Sequence, residues 1–197
     1  FDITIPGTIH HSSGLATMGF GPSAVLGGKV AAPDKIVINL TGDGGFGINP
    51  SCLATAVEHG IACTWVVMNN SAFGTIAGLE NANYKTKFGT VFYKPDGERY
   101  TICWADVAKS YGIESICVNS AEEFKPALEK AIAANKEGRP FLVEAPMENI
   151  VVPTPGCWNI NDIYTPNALV QEGKLVKKEN GRYVAPSHSK SHDGCLN

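Results

Sequence analysis

Apolar and polar positions along the chain fall into two alternating regimes. The short β-branched run Ile36-Val-Ile-Asn-Leu40 suits a buried strand, and Ile61 to Met68, Ile113 to Val118 and Phe141 to Ala145 read as further strands. Helix-like stretches lie between them. Pro22 to Ala32 is small and apolar enough to pack closely on a sheet, and Ile48 to His59 carries Leu53, Ala56 and Val57 before a stop at Gly60. Trp104 to Tyr111 closes at Gly112, and Ser120-Ala-Glu-Glu123 is a capping box opening a helix that runs to about Asn135. Strands separated by helices predict an α/β fold, a doubly wound and mostly parallel sheet with helices on both faces. Right-handed crossovers then bring every strand-to-helix loop to one edge of the sheet, where ligands bind. Beyond Ala145 the character changes, with four prolines from Pro146 to Pro166 and then a polar stretch. Residues 1–166 are therefore expected to form one domain with an ordered C-terminal extension, and 167–197 a loosely held tail. There is no internal repeat.

Composition narrows the function classes. The 197 residues are 44% hydrophobic and 18% charged, with 16 basic against 19 acidic residues and a net charge of −3. Such a balance gives no electrostatic footprint for nucleic acid or an anionic membrane, and no apolar run approaches the roughly 18 residues of a membrane span. The six cysteines, Cys52, Cys63, Cys103, Cys117, Cys157 and Cys195, include no C-x-x-C pair, so reduced thiols in a cytoplasmic protein are expected and zinc or iron–sulfur frameworks are disfavoured. The chain begins at Phe1 with residues that read like the middle of a domain, as a piece of something larger would.

The chemistry concentrates in Thr41-Gly-Asp-Gly-Gly-Phe-Gly47, between a strand and a helix. Gly42, Gly44 and Gly47 satisfy G-x-G-x-x-G, a weak pattern that admits an NAD(P)-binding module. Against that reading, the next strand ends in Asn69-Asn70 and not in the acidic residue that would hold a ribose, and Asp43 would repel a bare pyrophosphate. A cation between Asp43 and the phosphates removes the conflict. Mg²⁺ takes one or two protein oxygens plus phosphate oxygens, and an asparagine at the end of the neighbouring strand supplies a hard neutral ligand on the same edge. The glycines allow close backbone approach, with N–H groups facing the anion.

Gly-Asp-Gly, 24 residues, then Asn-Asn is similar to the signature of thiamine-diphosphate-dependent enzymes. Ser13-Gly-Leu-Ala-Thr-Met-Gly-Phe-Gly21 and the residues to Lys35 resemble the start of the diphosphate-binding (PP) domain of acetolactate synthases, as Ala105 to Glu114 and Arg139 to Glu144 resemble later stretches. The resemblance implies thiamine diphosphate and Mg²⁺ as cofactors. It assigns Asp43, the Asn70 side chain and the Ala72 carbonyl as metal ligands, and Gly42, Gly44 and Gly45 to the diphosphate with help from the backbone at Phe73 and Gly74. Met18 matches the apolar residue that props the cofactor into its bent form. The backbone of Ala16, beside Thr17, would accept a hydrogen bond from the aminopyrimidine, and many relatives have glycine in place of Ala16. Ile76 would line the substrate side, where some decarboxylases carry a carboxylate, which favours a carboligase or C–C lyase acting on small 2-oxo acids.

Several residues have plainer readings. Glu80 is expected to be a solvated helix charge. Trp158 lies where relatives cover the active site, although a packing role suits it equally. His10 and His11 are more simply structural, and His188, His192 and Cys195 have only loose metal-ligand spacing. No catalytic residue is assigned within the chain. The family's activating glutamate sits on a separate pyrimidine-binding (PYR) domain across a subunit interface, and nothing here resembles that domain or the PP domain's expected first strand. The resemblance thus implies a PYR-bearing partner chain or fragment and a homo- or hetero-oligomer, a dimer of PYR/PP pairs or larger. A two-chain 2-oxo acid decarboxylase is the nearest alternative.

Overall fold

The computed structural model describes residues 4–12, 14–86 and 88–148, together with two short strands, Val176–Lys177 and Tyr183–Val184. In chain order the elements are α1 (Phe20–Ala31), β1 (Ile38–Gly42), α2 (Asp43–Gly47), α3 (Cys52–Glu58), β2 (Thr64–Asn69), α4 (Gly74–Tyr84), α5 (Trp104–Ser110), β3 (Glu114–Cys117), α6 (Ala121–Lys136), β4 (Phe141–Pro146), β5 (Val176–Lys177) and β6 (Tyr183–Val184). Strands β1 to β4 form a wholly parallel sheet in the order β1-β2-β4-β3, and β5 and β6 pair antiparallel. The expected α/β architecture is the observed one.

Helices pack on both faces, because the chain steps across the sheet in both directions, but β1 is not the buried strand expected: Ile38 and Leu40 stay exposed. One face carries Phe46, Leu53, Trp65, Val67, Trp104 and Leu142 in a core closed by α1, α2, α3 and α5. Phe46 and Trp104 meet edge to face at 5.2 Å there, and the buried Trp65 indole donates to the Pro22 carbonyl at 2.9 Å. The other face packs Val66, Val118, Phe141 and Val143 against α6. Ala127, Ala131 and Ala134 fall on one stripe of that helix and let it lie close to the strands. Fully burying side chains of this size contributes about 1.5–3 kcal/mol each.

Element ends differ from the sequence expectation where pairing overrides local composition. Strand β1 runs two residues further than Leu40, because Thr41 and Gly42 stay extended opposite Val67 and Met68. The helix expected over 48–59 begins only at Cys52, two residues after Pro50, and the Gly-rich stretch read as a loop forms a separate short helix, α2, directly after β1. Residues 61–63 lead into β2 without being part of it. Gly60 and Gly112 end their helices with φ of 61° and 83°, the left-handed stop a glycine supplies without strain. The capping box does not form as expected: Ser120 makes no hydroxyl cap at the start of α6, and the Glu123 carboxylate accepts from the Asn119 N–H at 2.8 Å in place of the Ser120 N–H. Most of the C-terminal extension and tail lies outside the described residues.

Candidate functional site

Strands β1 and β2 run side by side with Gly42 opposite Met68, so their C-terminal ends deliver residues 43 and 70 to the same edge of the sheet. Asp43 opens α2 and is only 4% exposed. The Asn70 N–H donates to Asp43 Oδ1 at 3.3 Å. Burial holds the Asp43 carboxyl above the ordinary carboxylate range, and the backbone N–H groups of Asn70, Ala72 and Gly44 only partly oppose that shift. Among the described residues no lysine, arginine or histidine forms an ion pair with it.

The glycines around Asp43 are cleared ground. A β-carbon on Gly44 would stand 2.6 Å from Phe73 Cδ1 and 3.1 Å from Met18 Cε, and one on Gly45 would stand 2.8 Å from Thr41 Oγ1. A β-carbon on Gly74 would stand 2.5 Å from Asn70 Nδ2. Met18, Gly44 and Phe73 therefore converge, as do Asn70 and Gly74, so a side chain at either glycine would displace residues of the two turns. Among the described residues no group of three or more His, Cys, Asp or Glu side chains could hold a metal. A cation here would take one carboxylate and neutral oxygens from the protein and would need anionic oxygens from elsewhere. That donor set suits Mg²⁺ bound together with a diphosphate, so the residues fit the implied cofactor.

The remaining expected residues are placed less closely. Ala16, with φ of 48°, and Thr17 are exposed, and the Thr17 carbonyl accepts from the Phe20 N–H at 3.3 Å. Met18 is 41% exposed, and Ile76, in the first turn of α4, is 49% exposed. Glu80 is not the freely solvated charge expected: it is half-buried and accepts from Thr90 Oγ1 at 2.8 Å. His10 and His11 are exposed. Trp158, His188, His192 and Cys195 lie outside the described residues. Cys52, Cys63, Cys103 and Cys117 are free thiols, and burial pushes Cys52 and Cys63 up to about 11 and about 12.

Sequence reasoning did not find what holds the second turn. Ser71 is left-handed, with φ of 53°, a conformation costing an L-residue roughly 1–2 kcal/mol. Residues 90–102 wrap around it. Phe73 N–H donates to the Thr90 carbonyl at 2.9 Å, Phe92 N–H to the Ser71 carbonyl at 3.2 Å, and Ser71 Oγ to Thr101 Oγ1 at 2.6 Å. The Arg99 guanidinium donates to the carbonyls of Asn70 at 2.8 Å and Ser71 at 3.3 Å. Beneath the turn, Asn69 Nδ2 donates to the Ile102 carbonyl at 2.8 Å and to Glu144 Oε1 at 2.7 Å. One signal of this was visible in sequence, the single acid Glu144 in the otherwise apolar run Phe141 to Ala145.

Comparison with known proteins identifies the family. Residues 1–145 match the family model for the thiamine pyrophosphate enzyme C-terminal TPP binding domain, thiamine pyrophosphate being the diphosphate under its other name. A probable acetolactate synthase large subunit from Methanocaldococcus jannaschii is 34% identical over 79% of this chain and 26% of its own length. A 3D-(3,5/4)-trihydroxycyclohexane-1,2-dione hydrolase from Bacillus velezensis is 35% identical over 64% of this chain and 20% of its own. Among solved structures, the thiamine diphosphate-dependent 4-hydroxybenzoylformate decarboxylase of Rhodococcus jostii RHA1 superposes with a TM-score of 0.58 at 27% identity, over 68% of this chain and 24% of that one. The chain thus spans about a quarter or less of the relatives it matches. The family match decides against the NAD(P) reading of the Gly42–Gly47 loop, and the chain belongs to the family of C-terminal TPP-binding domains of thiamine pyrophosphate enzymes.

Proposed function

We propose that this chain is the cofactor-holding part of a larger thiamine-diphosphate-dependent enzyme that joins or cleaves carbon–carbon bonds of 2-oxo acids. The observation that carries the reading is the buried Asp43 carboxylate, set beside the Asn70 turn and flanked by Gly44. Asp43, Asn70 Oδ1 and the Ala72 carbonyl hold Mg²⁺, and the N–H groups of Gly44 and Gly45 at the start of α2 hold the diphosphate. Met18, already in contact range of the Gly44 backbone, shapes the space above it. When bound, the cofactor supplies a carbon centre that adds to a carbonyl and takes up the electron pair left by loss of CO₂. The apolar Ile76 gives the substrate side no proton donor, which favours addition to a second carbonyl over release of an aldehyde.

The activating glutamate then comes from a PYR-bearing chain or segment. Leu15 at 95%, Met18 at 41% and Ile76 at 49% exposed give the border of the site an apolar surface for such a partner to cover. Free thiols suit a reducing, cytoplasmic compartment. A decarboxylase is the second reading, favoured by the superposition on a 4-hydroxybenzoylformate decarboxylase. The test is to purify the chain with its native partner, release the bound small molecules, and assay a 2-oxo acid. Thiamine diphosphate and an acyloin product support the first reading. Aldehyde as sole product supports the second, and absence of thiamine diphosphate from the native particle contradicts both.

A further inference from the structure

Resting on the metal reading of Asp43, Asn70 and Ala72, we propose that Glu144 is a positioning residue for that site. It acts through Asn69 to fix the turn that presents Asn70 and Ala72 to Asp43. Glu144 lies on β4, is 2% exposed, and no lysine or arginine among the described residues pairs with it. Its carboxylate is held by neutral donors. Asn69 Nδ2 donates to Oε1 at 2.7 Å, while the Ala105 N–H donates to Oε2 at 2.8 Å and the Cys103 thiol at 3.5 Å. A buried carboxylate kept on such terms is costly unless its donors stay in place, so it is a rigid anchor for whatever those donors belong to.

Asn69 belongs to the turn. With its Nδ2 fixed by Glu144 and the Ile102 carbonyl, its Oδ1 faces the other way and accepts the Ser71 N–H at 3.0 Å. That bond closes the turn over Asn70 and stabilises the left-handed Ser71. From the solvent side, Arg99 grips the carbonyls of Asn70 and Ser71. The backbone between the two expected ligands is thus held from both sides, without Glu144 touching the metal position. An amide at 144 would place a donor against the Asn69 or Ala105 N–H and break the chain of bonds at its root.

The experiment compares the full chain, Glu144→Gln and the exposed-site variant Arg99→Ala, which leaves the core intact. Two readouts are taken: amide hydrogen exchange at residues 70–73, and the Mg²⁺-dependent affinity for thiamine diphosphate. The expected result is exchange at residues 70–73 at least about tenfold faster, with Val66 and Val143 unchanged. Affinity should fall about tenfold in Glu144→Gln and about threefold in Arg99→Ala. Exchange at the turn unchanged in both variants, or a loosened turn with unchanged affinity, overturns the proposal. Asp43→Asn separates the two levels of the argument. If the unaltered chain binds and Asp43→Asn does not, while Glu144→Gln binds normally, the positioning role alone falls. If the unaltered chain shows no Mg²⁺-dependent binding, the metal reading falls and takes this role with it.

Discussion

The two turns that make the site are built in opposite ways. The turn after β1 is local: Gly42 to Gly47 carries its own acid, its own helix start and its own cleared backbone within six residues. The turn after β2 is held from outside. Its Ser71 is left-handed without being glycine, and its shape depends on Thr90, Phe92, Arg99, Thr101 and, beneath, Glu144. A local turn fails through its own residues, whereas a clamped turn fails through residues far away in sequence.

The largest effect is expected at the local turn. Asp43→Ala removes the site's one carboxylate and should weaken Mg²⁺-dependent binding of thiamine diphosphate at least about a hundredfold, roughly 2.7 kcal/mol, by titration calorimetry. Without metal the sign reverses. Burial makes the folded chain hold the Asp43 proton more tightly than the unfolded chain does. The charged carboxylate is then a penalty at neutral pH that is relieved as pH falls through the raised value towards the ordinary carboxylate range. Metal-free Asp43→Asn should therefore melt about 2–4 °C above the unaltered chain at pH 7, and the gap should close as the pH is lowered. A gap that widens in acid breaks the account of Asp43.

Gly44→Ala comes next. Its β-carbon collides with Phe73 and approaches Met18, so a cost of about 1–3 kcal/mol in thermal stability should accompany a roughly tenfold loss of cofactor affinity. At the clamped turn a single tie matters less. Thr101→Val removes the acceptor for Ser71 Oγ and for a longer bond from Asn69 Nδ2 at 3.4 Å, about 1 kcal/mol, with a few-fold loss of metal affinity. If Thr101→Val equalled Gly44→Ala, the contrast between the two turns would dissolve. The smallest effect belongs to Lys94→Ala, which breaks the exposed Lys94–Glu98 pair at 2.8 Å across the hairpin tip and should shift stability by less than about 0.5 kcal/mol.

This contrast also explains how much could be read from the sequence. Runs such as Thr64 to Met68 and Phe141 to Ala145 declare strands because their burial on both faces demands mostly apolar residues. The Gly-Asp-Gly turn declares itself because its geometry and chemistry are encoded in adjacent residues. The Asn69–Phe73 turn was half legible: its asparagines are visible, but the residue that bends left-handed is an ordinary serine. The segment before Trp104 is assigned no element from sequence. Residues 92–100 form a hairpin folded at Lys94-Pro-Asp-Gly-Glu98, where the Gly97 N–H donates to the Lys94 carbonyl at 3.0 Å, and the role of this segment exists only through bonds to a turn some twenty to thirty residues earlier. Helix boundaries such as the break between α2 and α3 went unread for the same reason, since strand pairing and not local propensity sets where β1 ends.

The central claim is that two neighbouring strand ends hold a divalent metal together with a diphosphate. Its most direct test is paramagnetic broadening of backbone amide signals in the full chain, using Mn²⁺ in place of Mg²⁺, with and without thiamine diphosphate. Broadening strongest at residues 41–47 and 69–74 and falling off with distance from them, present only when metal and cofactor are added together, is the predicted result. Broadening centred elsewhere, or equal with Mn²⁺ alone, would contradict it.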